Sequence, residues 1–177
     1  MTDLVFNNDI SVKTGDITGT TNVIKKGLAT LSIDYHFKKA IKKYFKNEKF
    51  DLILYPTPPI TLANTIAWAK KYYGAKTYLM LKDIFPQNAV DLGMMRKTGL
   101  KGLIFKYFRR KEKFFYSISD YIGCMSPANV QYVLSHNLEI KTSRVEVCPN
   151  CLSVPAKQPV FKREGTELKK KYDIPEE

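Results

Sequence analysis

The sequence predicts an α/β fold, in which a parallel β-sheet carries helices on both faces. Three short apolar runs each end at a loop that contains proline, and the segments between them have the apolar spacing of helices. These runs are residues 51–59, 77–86 and 144–149. Buried strands that alternate with helices form a parallel sheet, and such sheets bind ligands beyond the carboxyl ends of their strands. We therefore expect functional residues in the loops that begin at Pro56, Lys82 and Pro149.

The first elements are predicted from spacing and turn residues. Residues 10–20 combine short apolar stretches with Gly, Thr and Asp, which is compatible with a hairpin. Apolar residues then recur every fourth position from Ile33 to Phe45, which predicts a helix over 32–46 with lysines on its outer face. The first strand of the sheet is expected at 51–55.

The next helix has a start signal and a stop signal. Thr61 can cap it, with the hydroxyl accepting a hydrogen bond from an early backbone N–H group. The helix should cover 62–73, because Gly74 can adopt the left-handed conformation that ends a helix. The second strand is then expected at 77–81.

The longest predicted helix covers residues 97–119. Its apolar positions form one stripe that we expect to pack on the sheet, namely Leu100, Leu103, Ile104, Tyr107, Phe108, Phe114 and Ile118. Basic residues occupy much of the remainder, and the candidates for contact with an anionic membrane are Lys101, Lys106, Arg109, Arg110 and Lys113. The alternative is an ordinary surface helix with solvated lysines.

The last elements follow the same alternation. A strand is expected at 121–124, and Ser126 with Pro127 then forms a helix N-cap and first-turn proline pair. That helix should end near residue 137, and the final strand should cover 144–148. Residues 164–172 have the pattern of a further short helix.

Asp83 is the candidate for acid–base chemistry, since it directly follows an apolar strand. A carboxylate at the carboxyl end of a strand can accept a proton or hold a sugar hydroxyl. The alternative is a loop carboxylate that caps the next turn. From spacing alone the two interpretations are equal.

Cysteines, histidines and glycines argue against several other kinds of site. Cys148 and Cys151 have redox spacing, but no helix follows them to lower a thiol pKa. His36 and His136 suit structural roles. The glycine-rich phosphate loops of dinucleotide-binding and P-loop domains are absent from the sequence. We therefore predict no metal site and no cofactor.

Size and charge limit the choice of partners. A chain of 177 residues forms one domain with a real core, and 29 Lys and Arg against 17 Asp and Glu give a net charge of +12. This charge favours phosphate-bearing partners without choosing between nucleic acid, membrane and diphosphate ligands. Three cysteines and no apolar leader favour the cytosol, and no apolar run approaches the roughly 20 residues that span a bilayer.

Four segments in order resemble the N-terminal half of family 4 glycosyltransferases, most of all the branch that builds bacterial capsule and O-antigen polysaccharides. The segments are Phe50-Asp-Leu-Ile-Leu-Tyr-Pro-Thr-Pro-Pro-Ile-Thr61, Leu81-Lys-Asp-Ile-Phe-Pro-Gln-Asn-Ala-Val-Asp-Leu-Gly93, Asp120-Tyr-Ile-Gly-Cys-Met-Ser-Pro127 and Val145-Glu-Val-Cys-Pro-Asn150. Each is weak alone, but their order and rough spacing agree over residues 5–175.

This resemblance implies a GT-B architecture, with two Rossmann-like domains that face each other across a cleft. The N-terminal domain takes an acceptor, often a polyprenyl-diphosphate sugar at the cytosolic membrane face, and the C-terminal domain holds the nucleotide-sugar. Family members transfer the sugar without a bound metal ion. The strand-end motifs of the family map onto Thr57, Pro58, Asp83, Gln87, Ser126 and Asn150.

The sequence departs from the family pattern at both ends. The expected first strand and glycine-rich loop have no match before Asp9, and the paired glutamates of the donor domain, seven residues apart, are absent from residues 164–177. We therefore expect an incomplete N-terminal domain at 1–155 and a linker with the start of a second domain at 156–177. A separate polypeptide could carry the donor domain, and the chain is expected to be inactive alone.

Two other hypotheses remain open. The charge together with 11 Tyr and 10 Phe would suit a basic, non-enzymatic nucleic-acid-binding module, although most of these aromatics fall on stripes that should face the core. A fragment of a Rossmann-like oxidoreductase is the third hypothesis, and the missing glycine fingerprint weakens it. We favour the transferase and predict no nucleic-acid partner.

Overall fold

The computed structural model describes residues 4–6, 9–12 and 23–151, and the side chains of 4–9, 23–31, 100 and 101 are outside that description. The predicted domain division between 155 and 156 and the predicted helix at 164–172 both lie outside the described residues. So do residues 13–20 of the predicted N-terminal hairpin, and the antiparallel pair that is described joins Leu4–Phe6 to Asp9–Ser11 instead.

The described elements alternate as expected from the sequence. In chain order they are β1 (Leu4–Phe6), β2 (Asp9–Ser11), α1 (Val23–Tyr44), β3 (Leu52–Thr57), α2 (Ala63–Tyr73), β4 (Lys76–Leu81), α3 (Gln87–Asp91), α4 (Gly99–Ile118), β5 (Tyr121–Cys124), α5 (Pro127–His136) and β6 (Val145–Val147), with 3-10 turns at Ile60–Leu62 and Thr142–Arg144. Strands β3, β4, β5 and β6 lie side by side in that order, and all three pairings are parallel. The prediction of a Rossmann-like α/β fold is confirmed.

One face of this sheet carries the core. Tyr55, Leu79, Ile122 and Val145 are neighbours in register across the four strands, and all four are buried. They form one cluster with Phe115 of α4, and this cluster also includes residues of α1, α2 and α5. Burying a side chain such as Leu79 stabilises the fold by about 1.5–3 kcal/mol, so this face holds the layers together.

The opposite face of the sheet is largely open. Leu54, Tyr78 and Tyr121 are register neighbours there, and Leu52, Leu54 and Tyr121 are 49%, 58% and 50% exposed. Parallel sheets are usually covered on both faces, and the alternation of buried strands with helices predicted helices on both. The helices that the structure describes pack on the first face, and a second layer is not seen among the described residues.

Two helix ends are set by residues adjacent in sequence, and a third is capped by a residue from another helix. Ser126 caps α5 by accepting a hydrogen bond from the Asn129 backbone N–H at 3.2 Å, and Gly74 ends α2 with φ of 66°, both as predicted. The predicted cap by Thr61 is wrong, because Thr61 lies in the 3-10 turn before α2. Asp34 of α1 accepts a 2.7 Å hydrogen bond from the Thr65 backbone N–H instead.

The orientation of α4 differs from the prediction. Of the predicted core stripe, Phe108 and Ile118 pack against the core, whereas Leu103, Ile104, Tyr107 and Phe114 are exposed. The helix is apolar on two sides, and the sheet covers the side that carries Phe115 and Tyr116. The side chain of Leu100 is outside the described residues.

Candidate functional site at the carboxyl edge of the sheet

The four parallel strands end together at one edge. Thr57 is in register with Leu81, Leu81 with Cys124, and Cys124 with Val147. The loops that leave these strands therefore start side by side, and they contain Asp83 after β4, Ser126 after β5 and Asn150 after β6. This is the edge at which open α/β sheets bind ligands.

A pocket of about 270 Å³ opens at this edge between the loop after β4 and α5. Its lining side chains are Lys82, Asp83, Ile84, Gln87, Asn88, Asp91, Asn129 and Tyr132. Carboxylates, amides and a phenol dominate this lining. Such groups recognise a polyhydroxylated ligand, because each hydroxyl both donates and accepts hydrogen bonds.

Thr57 fixes the position of Asp83. The buried Thr57 hydroxyl donates to the Asp83 carbonyl oxygen at 3.3 Å, and the Asp83 backbone N–H approaches the Thr57 Oγ1 at 3.4 Å. The Asp83 side chain itself is exposed at the pocket. Two strand ends are thereby joined, and the carboxylate stays accessible to a ligand.

Helix α3 supplies two of the three amides of the pocket, Gln87 and Asn88. The Gln87 side-chain amide donates to the Asp91 carboxylate at 2.6 Å, which orients both groups on the pocket side. The Asn88 Oδ1 atom is buried and has no hydrogen-bond partner among the described residues. A buried acceptor without a partner costs free energy unless a ligand or water donates to it.

Helix α5 contributes through its first turns. The Ser126 hydroxyl is engaged in the cap described above, and Asn129 and Tyr132 of the same helix line the pocket. Partial burial raises the pKa of Tyr132, and the negative charges of Glu112 and Asp91 raise it further while Arg109 lowers it. The phenol therefore stays protonated at neutral pH and can donate a hydrogen bond.

The predicted acceptor-binding residues are only partly brought together. Asp83 and Gln87 line the pocket, Thr57 contacts Asp83, and Ser126 acts through the cap of α5. Pro58 and Asn150 are exposed at the same edge but do not line this pocket. A role for any of them in acceptor binding stays a prediction.

Of the eight residues that line the pocket, sequence reasoning named Asp83 and Gln87 as site residues and missed six. Four of the six lie on helices, namely Asn88, Asp91, Asn129 and Tyr132. Two of them lie one and four positions after Gln87, on a short helix that was not predicted. The other two lie three and six positions after Ser126. These residues could have been found by extending a helix from Gln87 and from Ser126 and asking which side chains share its exposed side.

The predicted membrane contacts separate into two groups. Arg109 is turned inward, where it donates to Glu112 at 2.6 Å and to the His136 carbonyl and Asn137 Oδ1 at 2.8 Å each, so it is not available for lipid headgroups. Lys113 pairs with Glu139 at 3.2 Å. Lys106 and Arg110 are exposed, and the side chain of Lys101 is outside the described residues.

A larger cavity of about 490 Å³ lies at the opposite, amino edge of the sheet. Two of its three cations are engaged internally: Lys70 pairs with Asp120 at 2.9 Å, and Arg144 donates to carbonyl groups at the end of α4. The third, Lys76, is largely exposed and lies 3.9 Å from Asp120. Partial burial alone would raise the pKa of Asp120, but hydrogen bonds from Lys70 and Thr77 outweigh it and lower the pKa to about 2. These contacts hold elements together, so the smaller pocket is the better candidate.

The described residues contain neither a metal-binding cluster nor a helix that could span a membrane. Within residues 4–6, 9–12 and 23–151, there is no group of three or more His, Cys, Asp or Glu side chains placed to hold a metal ion. None of the described helices is long and apolar enough to cross a membrane.

Comparison with known proteins gives one similarity and no family match. No family model matches the chain. Over 98 residues, or 55% of its length, the chain is 28% identical to the protein named probable glycosyltransferase WbjE of Pseudomonas aeruginosa. The matched region is 23% of that protein, so this chain corresponds to only a part of it. The similarity supports glycosyl transfer in general.

Proposed function

We propose that this chain is the acceptor-binding half of a family 4 glycosyltransferase with GT-B architecture. The reaction is the transfer of a sugar from a nucleotide-sugar to a polyprenyl-diphosphate-linked acceptor in the synthesis of bacterial capsule or O-antigen polysaccharide. The place of action is the inner face of the cell membrane. The similarity to a probable glycosyltransferase supports the reaction class.

The observation that carries this proposal is the pocket at the carboxyl edge. It presents Asp83, Asp91, the Tyr132 phenol and three amides around a volume of about 270 Å³. Two of these amides lie on α3 and one lies on α5. This lining suits the terminal sugar of the acceptor. The excess of cations in the chain suits the diphosphate that follows this sugar.

In the proposed reaction Asp83 is the general base. An acceptor hydroxyl attacks the anomeric carbon of the donor, and its proton passes to the Asp83 carboxylate. The bond between that carbon and the diphosphate oxygen breaks, and the nucleoside diphosphate leaves with the electron pair. A positioned carboxylate base contributes about 10²–10⁴-fold to the rate of such a step.

The donor is proposed to bind mainly to a second domain, supplied by further polypeptide. Negative charge develops on the leaving diphosphate, and stabilising it requires preorganised donors facing that position. The pocket described here has the groups for a sugar acceptor and one cationic side chain, Lys82, in its lining. We therefore propose that the chain binds acceptor but does not catalyse transfer alone.

The test compares Asp83→Asn with Asp51→Asn. Asp51 is an exposed aspartate at the start of β3, at the opposite edge of the sheet, and is the matched control. Transfer is measured with the donor domain present, using farnesyl-diphosphate-linked glucose, galactose and N-acetylglucosamine as acceptors. We expect Asp83→Asn to lower kcat by at least about 10²-fold and Asp51→Asn to leave it unchanged.

Acceptor binding provides a second readout in the same experiment. Since Asn keeps the shape of Asp, the affinity of Asp83→Asn for the acceptor should change much less than kcat. Equal kcat values for the Asp83→Asn variant and the unmodified chain would refute the role of Asp83.

A further inference from the structure

Helix α4 has a second apolar side that the fold does not cover. Leu103, Ile104 and Tyr107 are 63%, 52% and 44% exposed, and Phe114 is exposed farther along the same side. Tyr107 follows Leu103 by four positions and Ile104 by three, and Phe114 follows Tyr107 by seven, so all four lie in a stripe on one side of the helix. Large aliphatic side chains that are exposed together mark an interaction surface.

Cationic side chains accompany this stripe. Lys106 and Arg110 are exposed on the same side of α4, and Lys111 lies over the Tyr107 ring at 5.8 Å. By contrast, the acidic residue of this helix, Glu112, is buried against Arg109 on the other side. The exposed side is therefore both apolar and positively charged, within a chain whose net charge is +12.

The stripe lies beside the candidate site. Phe108 of α4 meets Phe85 edge-to-face at 5.0 Å, and Phe85 belongs to the same loop as Asp83. Leu103 and Ile104 lie near the start of α4. This end of the helix is the one nearer the carboxyl edge of the sheet. A surface bound to this part of α4 would thus be next to the pocket.

We propose that the outer face of α4, formed by Leu103, Ile104, Lys106, Tyr107 and Arg110, binds an anionic lipid bilayer. The aliphatic and aromatic side chains enter the boundary between headgroups and acyl chains, and the two cations meet anionic headgroups. Membrane binding by this face would bring a lipid-linked acceptor to the pocket, and in this respect the inference rests on the proposed function.

The composition of the surface favours a bilayer over a nucleic acid. Polyanion binding uses cations and stacked aromatic rings, and exposed Leu and Ile side chains add nothing to it. Insertion into a lipid interface uses all three kinds of residue. Leu103 and Ile104 therefore favour a bilayer as the partner as much as the positive charge does.

The test is co-sedimentation of the full chain with vesicles of phosphatidylcholine, alone or mixed with phosphatidylglycerol, at low and at physiological salt. One variant combines Leu103→Ser with Ile104→Ser, and a second combines Lys106→Glu with Arg110→Glu. The control combines Lys46→Glu with Lys49→Glu, which changes the net charge equally at two exposed positions before β3. Circular dichroism melting checks that each variant is folded.

We expect the unmodified chain to bind the mixed vesicles, both α4 variants to bind at least about tenfold more weakly, and the control to bind as the unmodified chain does. An absence of binding by the unmodified chain overturns the inference. Full binding by the Leu103 and Ile104 variant, or equal losses in the control and the charge variant, also overturns it. Retention of duplex or single-stranded DNA that is lost with the α4 variants, without lipid binding, assigns the surface to nucleic acid instead.

Transfer to a detergent-solubilised acceptor separates this inference from the proposed function. The α4 variants should retain that activity, because their altered residues do not line the pocket. A chain that fails to bind vesicles but still depends on Asp83 in detergent would refute the membrane surface and leave the proposed transferase intact.

Discussion

At the scale of single residues, Glu112 and Arg109 form the most heavily buried ion pair among the described residues. Glu112 is 4% exposed, and it accepts hydrogen bonds from Tyr116 at 2.7 Å and from Arg109 at 2.6 Å. Burial raises the pKa of Glu112, while the hydrogen bonds from Tyr116 and Arg109 act in the opposite direction. Arg109 also joins α4 to the end of α5 through Asn137.

We predict that Arg109→Ala lowers the free energy of unfolding by about 3–5 kcal/mol, because it leaves a buried carboxylate without its cation. Arg110→Ala, one position along and exposed, should change it by less than about 0.5 kcal/mol. Urea denaturation of both variants provides the measurement. Similar values for the two would show that the inward contacts of Arg109 do not stabilise the fold.

The sequence predicts single residues well where the cause is local. Ser126 with Pro127 and Gly74 behave as predicted, because a cap or a left-handed stop depends on adjacent backbone groups. Asp34 could not be found in this way, since it caps α2 from a different helix, 31 positions away. Asn88 and Asn129 were missed although they lie one and three positions after the predicted Gln87 and Ser126, because only the folded pocket brings these two segments together.

At the scale of elements, Asp120 joins α2, β4 and β5 at the amino edge of the sheet. Its carboxylate accepts hydrogen bonds from Lys70 and from the Thr77 backbone and hydroxyl, each at 2.9 Å. The pKa of Asp120 is about 2, against an ordinary value of 3.8. The ionised form therefore stabilises the fold fully above pH 3.8, and this contribution is lost as the pH falls toward about 2.

We predict that Asp120→Asn lowers the free energy of unfolding by about 1–2 kcal/mol at neutral pH, allowing for screening by solvent. The difference between this variant and the unmodified chain should shrink as the pH falls from 3.8 toward about 2. Denaturant titrations across that range measure it. A difference that stays constant with pH would mean that the charge of Asp120 is not what stabilises the contact.

Helices and strands were predictable where their apolar residues allow only one position or one buried side. The four parallel strands are bounded by prolines, glycines and polar residues, so their positions follow from the sequence to within a few residues. Helix α4 has apolar residues on two sides, and periodicity alone could not tell which side meets the sheet. Packing decides this, because the buried side must also accommodate Glu112 and Tyr116.

At the scale of the whole molecule, neighbouring parallel strands were predicted correctly, whereas the described helices cover one face of the sheet and not both. Alternation along the chain predicts neighbouring parallel strands, and the structure has them in the order β3, β4, β5, β6. The same alternation predicted helices on both faces, and a second helical layer is not seen among the described residues. The cover of a sheet face depends on how all the other segments pack against it. The apolar pattern of the strands does not predict this.

The proposed function depends on the binding of an acceptor in the pocket at the carboxyl edge. The most direct measurement is a two-dimensional amide NMR titration of the isotopically labelled chain with farnesyl-diphosphate-linked sugars. We predict chemical-shift changes that cluster at the pocket, with little change around Lys70 and Asp120 at the amino edge. The pocket residues concerned are Asp83, Gln87, Asn88, Asn129 and Tyr132. Changes confined to the amino edge, or no changes with any of these sugars, would contradict it.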